Sequence, residues 1–251
     1  MSFLNKLGIG IGMGGGLSRD VARSIHSPSR GRTPGVGVPA VGTTRPPEQL
    51  ETTRVSNGLK EFLWNLDGLG RGTLLDLGPA WQTTLSFFIE RGFRVSSEDL
   101  LRAWKGFLTE EETRLREDAR ALEALDMTPA GRAGRFLQEN LQYPRVSFDA
   151  VLLWDLLDYM EPVLVKRTVA NLTELLRPGG VVFALFHSKK PEGFQRYRVM
   201  DSNTLQVVSS PVICPAQRVY QNREIQDLFG RYRTVKSFVG RDQLRETLFI
   251  K

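Results

Sequence analysis

The chain has a single cysteine, Cys214, among its 251 residues. That excludes an intramolecular disulfide, a cysteine-built zinc site and an iron–sulfur cluster. It has two histidines, His26 and His187, too few for a multi-histidine metal centre. No apolar run reaches the roughly 18 residues that a membrane-spanning helix needs. The first residues also lack the apolar density and small-residue cleavage site of a signal peptide, so a cytoplasmic protein is expected. A dominant charge of one sign is missing as well: 34 Lys and Arg stand against 28 Asp and Glu, for a net charge of +6. This mild basicity permits contact with nucleic acid without implying it, and no nucleic-acid-binding motif accompanies it.

What is there falls into two parts. Residues 1–50 are rich in Gly, Pro, Ser and Arg and carry no apolar period. Such a composition cannot bury enough apolar surface to offset the entropy of ordering. It reads as a flexible arm and linker, a candidate contact for a protein partner or a membrane surface. Residues 51–251 read as one globular domain.

Within it, short apolar runs alternate with amphipathic stretches. Leu59, Phe62, Leu63 and Leu66 share one face of a short helix. Residues 72–78 (GTLLDLG) read as a buried strand, 80–91 as a helix and 93–97 as a second strand. A capping box at Thr109 and Glu112 predicts a charged helix over 109–125, broken by 127–134, with a third strand and its loop over 135–141. Residues 148–154 (FDAVLLW) predict a strong buried strand, 162–177 a helix and 181–186 the next strand. An extended pair is expected over 197–209, a short helix from Asn222, and a closing antiparallel pair at 234–239 and 246–250. All four tryptophans are expected in the core. The sum is a doubly wound α/β domain with about seven strands, mostly parallel, the last antiparallel.

In such sheets ligands bind at the carboxyl ends of the strands. The first strand ends in Asp76-Leu77-Gly78-Pro79-Ala80, where a glycine lets backbone approach a ligand closely. The second ends in Glu98-Asp99, and a carboxylate there can accept both hydroxyls of a ribose. Alone, this pattern is a moderate signal for an adenosine-containing ligand.

The order of the segments LLDLGPA, RGFRVSSEDL, SFDAVLLWDLLDYM, ELLRPGGVVFALF and the closing RTVKSFVGRDQLRETLFIK resembles the class I S-adenosylmethionine-dependent methyltransferases. The resemblance spans about residues 59–251. It implies S-adenosylmethionine as cofactor and methyl transfer to a small or medium-sized acceptor. It also implies that Asp76, Gly78, Pro79 and Ala80 form the turn beneath the cofactor's methionine part. Asp99, with Glu98 beside it, falls on the ribose-binding acid. Asn140 and Leu141 fall where adenine is held, and Trp154 and Asp155 border the sulfonium. Tyr159 sits on the substrate side.

Methyl transfer needs a base only when the nucleophile arrives protonated, and His187 and Asp155 are the candidates. The insertion 188–221 is expected to select substrate, through Arg196, Tyr197, Arg218 and Tyr220 together with Lys189 and Lys190. The sequence departs from the family where further turn glycines are usual: Pro79 removes a backbone donor and Ala80 adds a Cβ. A catalytically silent, methyltransferase-like binding protein is therefore the alternative. A nicotinamide-dependent oxidoreductase is disfavoured, because G-x-G-x-x-G is absent after the first strand.

Overall fold

The structure, a computed structural model, describes residues 51–117 and 126–251. The expected N-terminal arm and the C-terminal part of the charged helix lie outside the described residues. No described helix is long and apolar enough to cross a membrane.

Two strand–helix–strand passages build the centre. β2 (Gly72–Asp76), α2 (Gln82–Ile89) and β3 (Phe93–Ser97) form the first. β4 (Phe148–Trp154), α5 (Pro162–Leu175) and β5 (Leu176–His187) form the second. With β8 (Thr234–Val239) and β9 (Leu244–Ile250) they make a six-stranded sheet of order β3-β2-β4-β5-β9-β8. β3, β2, β4 and β5 are mutually parallel, while β9 runs antiparallel to both of its neighbours.

The strands are continuous hydrophobic runs because both faces are covered. Leu74, Ala150, Leu152, Phe183 and Leu185 pack with α1 (Asn57–Leu66) and α2. Their neighbours Leu75, Val151, Leu153, Val182 and Phe186 pack on the opposite side. That side carries α3 (Leu100–Glu117), α4 (Pro129–Asn140), α5 and α6 (Asn222–Leu228). This is the two-residue alternation of side chains across a sheet.

The strand count corrects one expectation. Residues 135–141 are not a third strand but the second half of α4. Thr128 accepts from the Gly131 backbone N–H and Pro129 opens the first turn, so the segment has a proper helix start. Buried Glu111 then ties α3 to α4 through ion pairs with Arg132 and Arg135. The proposed capping box fails as well. Thr109 lies inside α3 and its hydroxyl donates to the Lys105 carbonyl, while Asp99 accepts from the Arg102 backbone N–H at the true start.

The expected extended pair forms the hairpin β6 (Phe194–Val199) and β7 (Thr204–Ser210). It is joined by a strand the sequence did not announce, β1 (Glu51–Val55), in a separate antiparallel sheet of order β1-β7-β6. This small sheet sits on the α1–α2 side through Tyr197, Val199, Leu205 and Val207.

Candidate active site

After β2 the chain moves outward to β3, then returns to place β4 on the other flank of β2. The order of the strands reverses there, and the crevice between the carboxyl ends of β2 and β4 is where such a sheet binds ligands. Asp76 closes β2, and Trp154 and Asp155 close β4.

Asp76 is 1% exposed. Its Oδ1 accepts from the Gly78 backbone N–H at 2.9 Å and from the Trp154 indole N–H at 2.7 Å, while Oδ2 is buried without a partner. Burial pushes its pKa up to about 6, against the lowering effect of those two donors. A Cβ at Gly78 would lie 2.7 Å from the indole ring, so only glycine admits this approach. Trp154 itself has φ of 50°, in the left-handed region, beside a register shift in the β4–β5 pairing. That strained backbone turns the indole back over β2. Its outer face stacks on Tyr197 of β6, centroids 6.0 Å apart and planes 12° apart.

At the end of β3, Glu98 accepts from the Tyr143 hydroxyl at 2.7 Å. Asp99 does not face open space. Arg196 Nη2 of β6 lies 3.2 Å from each of its carboxylate oxygens. The cavity left between Gly78, Pro79, Trp154, Asp155, Arg196 and Tyr197 is about 10 Å³, against the roughly 300 Å³ or more of a cofactor site. Ala80 does not line it.

Tyr197 also forms one wall of a second, polar cluster. Its hydroxyl donates to Asp155 Oδ2 at 3.2 Å, and the same oxygen lies 3.0 Å from His187 Nε2. Burial lowers the His187 pKa, but the hydrogen bond and charge of Asp155 outweigh it, and the net shift is upward. Asp158, which the sequence reading missed, accepts from the His187 backbone N–H at 2.7 Å, and its Oδ1 has no partner. Burial is the main cause that pushes Asp158 up to about 7. Tyr159 packs edge-on against His187 and Phe194, with its hydroxyl unpartnered.

The remaining expected site residues lie elsewhere. Asn140 Nδ2 donates back to the Phe136 carbonyl within α4, and Leu141 is in the core. Tyr220 is buried against Phe186, and Arg218 pairs with Glu224 at the start of α6. Of the tryptophans, Trp104 and Trp154 are core residues, whereas Trp64 is 74% exposed.

The donor set suits an adenosyl cofactor: carboxylates close two neighbouring parallel strands, and an unpartnered oxygen lies in the glycine turn. The room for it is taken by Trp154, Tyr197 and Arg196.

No protein-family profile and no curated protein sequence matches the chain. Among solved structures it is similar to a Burkholderia thailandensis 1,6-didemethyltoxoflavin-N1-methyltransferase at 15% identity, over 78% of this chain and 79% of that one, with a TM-score of 0.41. An S-adenosylmethionine-dependent methyltransferase from Mesorhizobium loti is 16% identical over 76% and 96% of the two chains, TM-score 0.43. One from Aquifex aeolicus is 12% identical over 78% and 90%, TM-score 0.40. These likenesses are distant, and the α/β architecture rests on the observed strand order rather than on them.

Proposed function

We propose that this chain binds S-adenosylmethionine at the carboxyl ends of β2, β3 and β4 and supports methyl transfer to a small or medium-sized acceptor. The observation that carries the reading is Asp76. Its Oδ2 is buried with no partner, beside a glycine turn at the switch point and one strand away from Asp99. When bound, the cofactor supplies an already activated methyl group. Asp76 and the Gly78 turn would hold its methionine part, and Asp99 its ribose. Asp155 orients His187, whose imidazole takes the proton of an acceptor that arrives protonated. Trp154 donates to Asp76 and Arg196 to Asp99 at the positions the cofactor would contact, so both contacts would have to yield to it. Equilibrium dialysis against labelled S-adenosylmethionine tests the reading. Binding by the native protein is expected, with strong loss in Asp99→Asn. Equal affinity in the two would refute the ribose assignment.

The filled space favours a second reading, a catalytically silent domain that uses the fold for binding. Turnover of any acceptor would end it, and a folded protein that binds no cofactor would support it.

A further inference from the structure

Adjoining the cleft, with Tyr197 lining both, lies a groove of about 860 Å³. It is bounded by β1, by the segment joining β5 to β6 and by the turn joining β8 to β9. We propose that this groove is a binding site for a small molecule carrying more than one carboxylate or phosphate group. In the methyl-transfer reading that molecule is the acceptor, and this role alone rests on that reading.

Three observations carry the site. The first is size, since small-molecule sites occupy about 300–1,000 Å³. The second is charge. Arg54, Lys189, Lys190 and Arg241 line the groove against Glu192 and Asp242. Asp242 is already engaged by Arg54 at 3.0 Å, whereas Lys189, Lys190 and Arg241 have no ion-pair partner among the described residues. Arg54 also keeps Nη1 buried and unpartnered. Cations without internal partners, two of them on a mobile lysine stem and one a planar fork, are suited to oxyanions of more than one charge.

The third is the floor. His187 and Tyr197 both line the groove, and both are fixed from behind by the same Asp155 oxygen. With Nε2 committed to Asp155, Nδ1 of His187 has no hydrogen-bond partner among the described residues. A ligand held by the lysines and Arg241 can therefore meet an oriented imidazole below.

The test uses the full chain without S-adenosylmethionine, titrated with citrate and, separately, with inorganic pyrophosphate. Heat is followed by calorimetry and the imidazole by ring-nitrogen correlation spectra. The chain has two histidines, so His187→Gln assigns the signal. Submillimolar binding of at least one probe is expected, with a shift of the His187 resonance; which probe binds separates carboxylate from phosphate recognition. The double variant Lys189→Ala/Lys190→Ala is expected to bind about tenfold more weakly. The pair Lys166→Ala/Arg167→Ala, which removes the same charge from exposed positions on α5, is expected to leave binding unchanged. The absence of binding, equal weakening by the two pairs, or binding without a response at His187 would each overturn the proposal. Anion binding that persists in a protein with no cofactor affinity would sustain this site and sink the methyl-transfer reading instead.

Discussion

Arg196 is the residue that a ribose at Asp99 would have to displace, so its removal gives the sharpest energetic test of the closed cleft. Its Nη2 lies 3.2 Å from both carboxylate oxygens, and the two side chains are 12% and 20% exposed. A hydrogen bond to a charged group contributes about 1.5–3 kcal/mol. Residual solvent at the pair places it near the lower end, about 1.5 kcal/mol. A ligand that must first break this contact loses affinity by the fraction of open molecules, here about tenfold. Arg196→Ala should therefore tighten S-adenosylmethionine binding about tenfold in a calorimetric titration. The carboxylate stays aimed, because the Arg102 backbone N–H still donates to Oδ1 at 3.2 Å. Unchanged or weaker binding in a folded variant would refute the idea that Arg196 stands in for the cofactor.

Two further outcomes follow from the buried groups. Asp158 rises from 3.8 to about 7 on folding, so the folded state keeps a proton that the unfolded chain releases. Its contribution to stability is present at low pH and is lost as pH climbs through about 7. Asp158→Asn keeps an acceptor for the His187 N–H, and should flatten the fall in urea midpoint between about pH 5 and 7. Asp76, raised to about 6, leaves a remaining slope below that pH. A slope unchanged by the variant would show that Asp158 is not its source. At the start of α1, a Cβ on Gly58 would lie 2.7 Å from Glu246 and 2.8 Å from the Phe183 ring. Gly58→Ala should cost about 1–3 kcal/mol of stability, read as a lower Tm, and an unchanged Tm would contradict that close packing.

The parts of the fold legible in the sequence are those whose residues report burial on their own. FDAVLLW is apolar at nearly every position because β4 is covered on both faces, and FRVSS stops at the acids that end β3. β1 was invisible: ETTRV has no apolar alternation, and its pairing with β7 fixes it as a strand. α4 was misread because two glycines in PAGRAGRFLQEN suggested a breaker, although the Thr128-Pro129 start and the spacing of Ala133, Phe136 and Leu137 carried a helical signal. At the site, Asp76, Gly78, Trp154, Asp155, Arg196 and Tyr197 do come together, along with Asp99. What could not be read was direction. A left-handed Trp154 and an arginine from a distant hairpin fill the cleft through contacts 78 and 97 residues apart in sequence. The one local hint was a bulky tryptophan at the end of β4, opposite a turn that carries Pro79 and Ala80.

The proposed cofactor site is filled by the protein's own side chains, Trp154 among them. Trp154→Gly tests it most directly, since glycine adopts the left-handed conformation at φ of 50° freely while the indole is removed from the turn. Trp154→Asn, which also tolerates that conformation, serves as a second variant if the first proves unstable. Calorimetric titration with S-adenosylmethionine, on protein shown folded by circular dichroism, should give tighter binding than the native chain. A folded variant with the cleft cleared and no detectable binding would contradict the account.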